Sequence, residues 1–204
     1  MKLASPAAAL LGENDASLLL ELYRRAEPLS GRKLATTARV PLSTAQRTLA
    51  RYADAGIVKA TPTAHATLYE LNRGHVLADA IFELLAAPAK VSESIGEIVS
   101  RRFGDTVTAA LFGSAARGDD TPGSDLDILL VTPDDFPASE IDELRQEIET
   151  RVETLLGRPA QVLDFDRNQL AHMVETHDPL IDALERDADT IVGTDVRALV
   201  EAAR

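Results

Sequence analysis

The sequence predicts an α+β protein of two domains, and three observations support this. A chain of 204 residues is long enough for two small domains. Residues 1–75 contain ten Lys and Arg and six Asp and Glu, so this part is basic. Residues 76–204 contain 11 Lys and Arg and 27 Asp and Glu, so this part is acidic. Helical periodicity followed by an alternating hairpin pattern fills the first part, and strand and helix patterns alternate in the last. We therefore expect domains at 1–75 and 106–204, joined by a helical connector at 76–105.

Composition excludes several classes of protein and of site. The sequence has no run of about 18 apolar residues and no signal-peptide pattern, so we expect a soluble, cytoplasmic protein. Without cysteine it can form neither disulfides, nor thiolate nucleophiles, nor Cys-based zinc sites. The four histidines lack metal-ligand spacing: His65, His75, His172 and His177. The basic first part could bind phosphate groups, and the acidic second part could bind cations.

The first two predicted helices occupy the start of the basic part. In "NDASLLLELYRRA" apolar residues recur at helical spacing, which predicts a helix over 15–26 with Asn14 or Asp15 as its N-cap. "PLSGRKLATTARV" then predicts a turn at Ser30 and Gly31, followed by a short helix.

A third helix and a hairpin complete this part. "PLSTAQRTLARYADAG" predicts a helix that is capped by Ser43 or Thr44 and ends at Gly56. "IVKATPTAHATLYELN" alternates on both sides of a polar tip, as the two strands of a hairpin do.

This order of elements, over about 14–74, resembles a winged helix-turn-helix domain. The resemblance implies a transcription regulator that binds double-stranded DNA, commonly as a homodimer, with its third helix in the major groove. It nominates as DNA-binding residues Ser43, Thr44, Gln46, Arg47, Arg51, Lys59 and His65. A protein-docking domain whose helix surface is merely solvated remains the alternative.

The remaining elements are predicted in chain order. "HVLADAIFELLAAPAKVSESIGEIVSRRFG" predicts two helices broken at Pro88, with no flexible linker between the halves. The pattern then predicts a strand, a short helix, a strand, a long helix, a strand and a helical tail. The strands are expected at 107–113, 126–131 and 160–165, and the long helix at 138–156.

The stretch "ALFGSAARGDDTPGSDLDILLV" carries the chemistry of the acidic part. A Gly-Ser turn that enters a helix presents free backbone N–H groups and a hydroxyl, which suit a phosphate. Asp125 and Asp127 are two residues apart in a predicted strand, so their side chains share one face. Adjacent carboxylates repel unless a cation lies between them, and Mg²⁺ prefers such oxygen ligands.

These residues resemble the DNA polymerase β-type nucleotidyltransferase superfamily, specifically its minimal members. The matching motifs are Gly113-Ser114-Ala115-Ala116-Arg117-Gly118 and Ser124-Asp125-Leu126-Asp127, in a region of about 92–175. The resemblance implies a mixed β-sheet flanked by helices. It also implies nucleoside triphosphate as substrate or ligand, Mg²⁺ or Mn²⁺ at Asp125 and Asp127, and nucleotide binding by Gly113, Ser114, Arg117 and Ser124.

The third carboxylate of that family is where this sequence departs from the pattern. In "GRPAQVLDF" a gapless alignment puts Gln161 at the acid's position. Asp164 lies three residues on, where strand alternation turns it to the opposite face unless a one-residue bulge intervenes. Asp164 therefore stays the candidate third catalytic acid beside Asp125 and Asp127, and Asp166 is expected to cap the next helix.

Three hypotheses about function remain open. The chain could be a DNA-binding regulator that also transfers a nucleoside monophosphate to a hydroxyl acceptor. Its second domain could instead be an inactive nucleotide sensor or partner-docking module. It could also be an antitoxin-like nucleotidyltransferase that modifies a protein partner.

Overall fold

A computed structural model describes residues 6–25, 27–117 and 124–204, and it divides into two compact units. The first unit ends at Ala87, and the second comprises Pro88–Arg204. The mixture of helices and sheets confirms the predicted α+β class. The boundary lies inside a helix at Pro88, whereas the sequence suggested 75/76 and a separate connector to residue 105.

The first unit contains the predicted three helices and hairpin, together with an unpredicted first helix and an unpredicted short strand. Its elements are α1 (Pro6–Leu11), α2 (Glu13–Tyr23), β1 (Leu29–Ser30), α3 (Gly31–Thr37), α4 (Leu42–Asp54), β2 (Val58–Pro62) and β3 (Thr67–Leu71). The strands pair antiparallel in the order β1-β3-β2, so the predicted hairpin gains a third, two-residue strand. Leu18, Leu34 and Leu49 of the three main helices are fully buried and meet in one core.

Two helix starts differ from the prediction. Gly12, rather than Asn14 or Asp15, is the N-cap of α2, and Asp15 lies within its first turn. Helix α4 begins directly after Pro41, so neither Ser43 nor Thr44 caps it. Pro41 occupies the N-cap position and has no side-chain oxygen, so α4 starts without a side-chain cap.

The second unit alternates strands and helices around one sheet. Its elements are the C-terminal part of α5 (Ala78–Phe103), β4 (Thr108–Leu111), α6 (Gly113–Arg117), β5 (Leu126–Thr132), α7 (Ala138–Leu156), β6 (Ala160–Asp166), α8 (Arg167–Glu175), α9 (Pro179–Asp187), β7 (Asp189–Val192) and α10 (Val196–Ala202). Helix α5 continues through Pro88 instead of breaking there. The predicted helical tail contains an unexpected strand, β7.

The sheet of the second unit is mixed, with the strand order β6-β5-β4-β7. β4 pairs antiparallel with β5 and β7, whereas β5 and β6 are parallel. Ile128 and Leu130 pack into a core that includes residues of α5 and α7, and Leu129 and Val131 into one that includes residues of α8, α9 and α10. The two faces of β5 are therefore both covered, except where Asp127 stands. No helix of the described residues is long and apolar enough to cross a membrane.

Candidate functional site

The turn between β4 and α6 lies against the carboxylate of Asp127. Gly113 opens α6 with a φ of +68°, a conformation that glycine adopts without strain. A Cβ placed on Gly113 would clash with Asp127 Oδ2, so any larger residue there would require this carboxylate to move. The backbone N–H of Phe112 donates to the Asp127 carbonyl at 3.1 Å, which fixes the two segments together. Folding thus brings the Gly-Ser turn and the acidic motif into direct contact.

The two motif carboxylates interact, and one is half-buried. Asp127 lies on β5, and Asp125 is exposed immediately before that strand. Burial raises the pKa of Asp127, the neighbouring Asp125 charge raises this pKa further, and the Arg117 guanidinium opposes both effects. A carboxylate whose charge is disfavoured beside a second carboxylate is suited to a divalent cation. Among the described residues no group of three or more acidic, His or Cys side chains could hold a metal ion, and these two carboxylates form a pair.

The register of β5 and β6 decides which residue lies beside Asp127. Seven consecutive pairs run without a shift from Leu126↔Ala160 to Thr132↔Asp166, and Asp127 is the partner of Gln161. A bulge that would bring Asp164 to this position is therefore absent from the described strand pair. Gln161 is exposed, and its neutral amide can donate or accept a hydrogen bond but cannot take up a proton at neutral pH.

The structure places Asp164 on the other face of the sheet, where it contacts α7. Its carboxylate forms a salt bridge with Arg145, whose Nε is buried without a hydrogen-bond partner in the part of the chain that the structure describes. Asp164 thus balances the charge of Arg145, away from the Asp125–Asp127 pair. Asp166 caps α8 as predicted, with Gln169 completing a capping box.

The other predicted nucleotide-binding residues have specific surroundings. Arg117 ends α6 and donates from Nη1 to Asp187 Oδ2 at 2.9 Å, so its guanidinium is held by α9. The Ser124 carbonyl accepts a hydrogen bond from Arg158 Nη1 at 2.8 Å, which ties the start of the acidic motif to the turn before β6. Ser114 is half-buried in the first turn of α6. Gly118 of the motif lies outside the described residues.

Most of the predicted DNA-binding residues are exposed. Helix α4 exposes Ser43, Gln46 and Arg47, whereas Thr44 is half-buried. Lys59 is exposed on β2, and His65 is exposed in the hairpin tip. That tip is closed by a bond from the Thr63 backbone N–H to the Ala66 carbonyl at 2.8 Å.

Arg51 differs from this group because it is held by another helix. Its guanidinium forms an ion pair with Asp15 of α2, which also accepts hydrogen bonds from Thr48 Oγ1 at 3.0 Å and from the Tyr52 hydroxyl at 3.1 Å. The Asp15 charge raises the pKa of Arg51. Burial raises the pKa of Tyr52, and the Asp15 charge adds to that rise. Arg51, predicted as a DNA contact, is thus paired with a residue of α2, although its side chain is 62% exposed.

Three exposed cations on α3 and in the turn before α4 were not among the predicted DNA-binding residues. Arg32 and Lys33 lie on α3, and Arg39 lies in the turn before α4 with a φ of +56°. The signal was present in "GRKLATTAR", where three basic residues occur without an acidic one. The winged-helix resemblance nominates residues of the third helix and the hairpin, so this signal was not used.

Comparison with known proteins finds one family model that matches part of the chain. Residues 92–186 match the family model of the nucleotidyltransferase domain. No curated protein matches the chain.

Three solved structures are similar to part of the chain. The first is a mutant of the toxin–antitoxin complex MntA–HpeT, with 16% identity over 55% of this chain and 82% of that chain, at a TM-score of 0.40. The second is a toxin–antitoxin complex with AMP-PNP, with 18% identity, the same coverages and a TM-score of 0.39. The third is the tri-AMPylated Shewanella oneidensis HEPN toxin with MNT antitoxin, with 15% identity over 57% and 82% of the two chains, at a TM-score of 0.38.

Proposed function

We propose that the second unit binds a nucleoside triphosphate with a divalent cation and transfers a nucleoside monophosphate to a hydroxyl. The observation that carries this proposal is the close approach of Gly113 to the Asp127 carboxylate. It brings a turn that suits a phosphate next to a pair of carboxylates that suits a cation. The match of residues 92–186 to the nucleotidyltransferase domain supports it. In this proposal Gly113 and Ser114 hold the triphosphate, and Asp125 and Asp127 hold Mg²⁺ or Mn²⁺.

The proposed reaction is a displacement at the α-phosphorus. The acceptor oxygen forms a bond to this phosphorus, the bond to the bridging oxygen of the β-phosphate breaks, and pyrophosphate leaves with the electron pair. The cation supplies charge neutralisation on the phosphate oxygens when it is bound. Gln161, the register partner of Asp127, cannot accept the hydroxyl proton, so this proton passes to water.

The acceptor is a hydroxyl on a macromolecule in this proposal. Among proteins this hydroxyl belongs to Ser, Thr or Tyr, and an antitoxin-like role corresponds to a toxin as the modified partner. One of the similar solved structures contains an AMPylated HEPN toxin with its antitoxin. A HEPN-type toxin therefore belongs among the acceptors tested, together with RNA and with the chain itself.

Removal of both motif carboxylates tests the proposed transfer. In Asp125→Asn/Asp127→Asn we expect transfer of radiolabel from α-labelled nucleoside triphosphates to fall at least about 100-fold, because the charges that hold the cation are gone. The matched control is Asp164→Asn, which removes a carboxylate from the opposite face of the same sheet. Its transfer should stay within about threefold of the wild type after correction for folded fraction.

Two outcomes would contradict the proposal. Transfer that persists in the double variant would place the chemistry elsewhere. A wild type that binds labelled triphosphate in Mg²⁺ but modifies none of the acceptors would support a nucleotide sensor instead.

We also propose that the first unit is a winged helix-turn-helix domain that binds double-stranded DNA as part of a homodimeric regulator. The order of α2, α3, α4 and the β2–β3 hairpin supports this, as does the exposure of Gln46 and Arg47 on α4. The exposed cations on α3 and in the turn before α4 add charges that suit phosphate.

Loss of Arg47 tests the DNA-binding proposal. Selection from a random pool of DNA duplexes should enrich one sequence. Arg47→Ala should weaken binding to this sequence about 5- to 10-fold, and it should reduce the slope of log K against log salt concentration by about one. Arg25→Ala is the control, since it removes the same charge from the turn after α2. A pool without enrichment, or equal losses in the two variants, would contradict DNA recognition by α4.

A further inference from the structure

Asp187 is a buried carboxylate held between two arginines. It is the last residue of α9, and its side chain is only 4% exposed. Its Oδ2 accepts from Arg117 Nη1 at 2.9 Å and from Arg186 Nη2 at 2.9 Å, and its Oδ1 accepts from Arg186 Nε at 3.1 Å. The bonds from Arg117 and Arg186 compensate the loss of water around this charge.

One of these arginines belongs to the helix that begins with the Gly-Ser turn. Helix α6 has five residues, too few for a stable helix without tertiary contacts. Its described anchors include Ala115, which is fully buried in the core, Ala116, which packs against that core, and Arg117, which is bonded to Asp187. The position of α6 therefore depends on a residue of α9.

Strand pairing determines where Asp187 lies. β7 begins two residues after Asp187, and its first residue, Asp189, pairs with Leu111 at the end of β4. α6 starts two residues after Leu111. The pairing of β7 with β4 thus holds the end of α9 beside the short helix.

We propose that Asp187 is a positioning residue for the nucleotide site, acting through Arg117 to hold α6 and its Gly-Ser turn against Asp127. This inference rests on the proposed nucleotidyl transfer for its effect on nucleotide affinity, but the anchoring of α6 is independent of it. Asp187 lies one residue beyond the segment that matches the family model.

The charge state of Asp187 also agrees with a permanent anchor. Arg186 and Arg117 hold the pKa of Asp187 below its usual range, although burial opposes this shift. The carboxylate is therefore charged at neutral pH, and its stabilising effect is present above pH of about 4 and lost below it.

The direction in which Asp187→Asn changes the affinity for triphosphate distinguishes an anchoring role of Asp187 from an inhibitory one. If Asp187 holds α6 in place, Asp187→Asn loosens the turn and weakens triphosphate binding. If Asp187 instead withholds Arg117 from the phosphates, the same variant frees the guanidinium and tightens binding.

The experiment combines nucleotide titration with hydrogen exchange on the full chain. In Asp187→Asn we expect the KM or Kd for the Mg²⁺ triphosphate to rise about 5- to 10-fold, kcat to change less than threefold, and the amides of residues 113–117 to exchange faster without nucleotide. Asp187→Glu should recover part of the affinity. Asp182→Asn, which removes a charge from the exposed side of the same helix, should leave both measurements unchanged. In an Arg117→Ala background, Asp187→Asn should have little additional effect.

The possible results are distinguishable. Unchanged or tighter triphosphate binding in Asp187→Asn overturns the proposal. A wild type that binds no triphosphate contradicts the proposed function, and the exchange of residues 113–117 then decides the anchoring role alone. If Asp187→Asn does not fold, Arg117→Lys and Asp187→Glu test the same contact, and normal affinity and normal exchange in both would overturn it.

Discussion

Gly113→Ala is expected to lower nucleotidyl transfer at least about 100-fold, because the added Cβ would displace the Asp127 carboxylate. The two groups would lie only 2.2 Å apart, and Asp127 Cγ would be 3.1 Å away. A misplacement of about 1 Å at a reacting centre commonly reduces rates by about 100-fold. The left-handed backbone adds a strain of about 1 kcal/mol. Two measurements check this: the transfer of label from α-labelled nucleoside triphosphates, and the urea unfolding of the second unit, which is monitored by hydrogen exchange.

The matched control is Gly157→Ala. Gly157 has nearly the same φ, +66°, at the C-terminal end of α7, but no described atom lies within 4 Å of the position that its Cβ would take. It should therefore show the strain of about 1 kcal/mol without the loss of transfer. Equal transfer in the two variants would mean that the approach of Asp127 to the turn is unimportant for catalysis.

Asp15→Ala is expected to destabilise the first unit by about 2–3 kcal/mol, because one carboxylate serves three side chains of α4. Thr48 is only 5% exposed and would lose its partner for the buried hydroxyl. The Tyr52 hydroxyl would lose an acceptor as well. The exposed ion pair with Arg51 contributes little to the total, since solvent screens it.

Tyrosine fluorescence during urea unfolding measures this effect selectively. The chain has no tryptophan, and all three of its tyrosines, Tyr23, Tyr52 and Tyr69, belong to the first unit. Glu13→Ala removes an exposed acid from the same turn of α2 and should cost at most about 1 kcal/mol. If the two variants unfolded at the same urea concentration, the carboxylate of Asp15 would not hold α4.

Much of the second unit follows from local patterns. Helix α7 has its predicted bounds of 138–156, and β5 and β6 each differ from prediction by one residue at the end. These elements have apolar residues at the helical or strand period, and packing does not override them. The break expected at Pro88 does not occur, because a proline removes one backbone bond but a long helix with a packed face can continue through it.

The N-terminal unit shows where local reasoning ends. The helix order and the hairpin were predictable from capping and alternation. The engagement of Arg51 was not, since its partner Asp15 is 36 positions away in the sequence. Whether a side chain is already paired depends on such contacts between residues distant in sequence, and the spacing of residues within one helix does not reveal them.

Motif spacing was sufficient for the Gly-Ser turn and the Asp125–Asp127 pair, because both depend on neighbours within a few residues. The tertiary structure decided the rest of the site. The unshifted pairing of β5 with β6 put Gln161 beside Asp127 and turned Asp164 towards Arg145, and the pairing of β7 with β4 brought Asp187 to Arg117. The physical reason is that strand register and helix packing are set by cores on both faces of the sheet, so one-residue differences in pairing decide which charges meet.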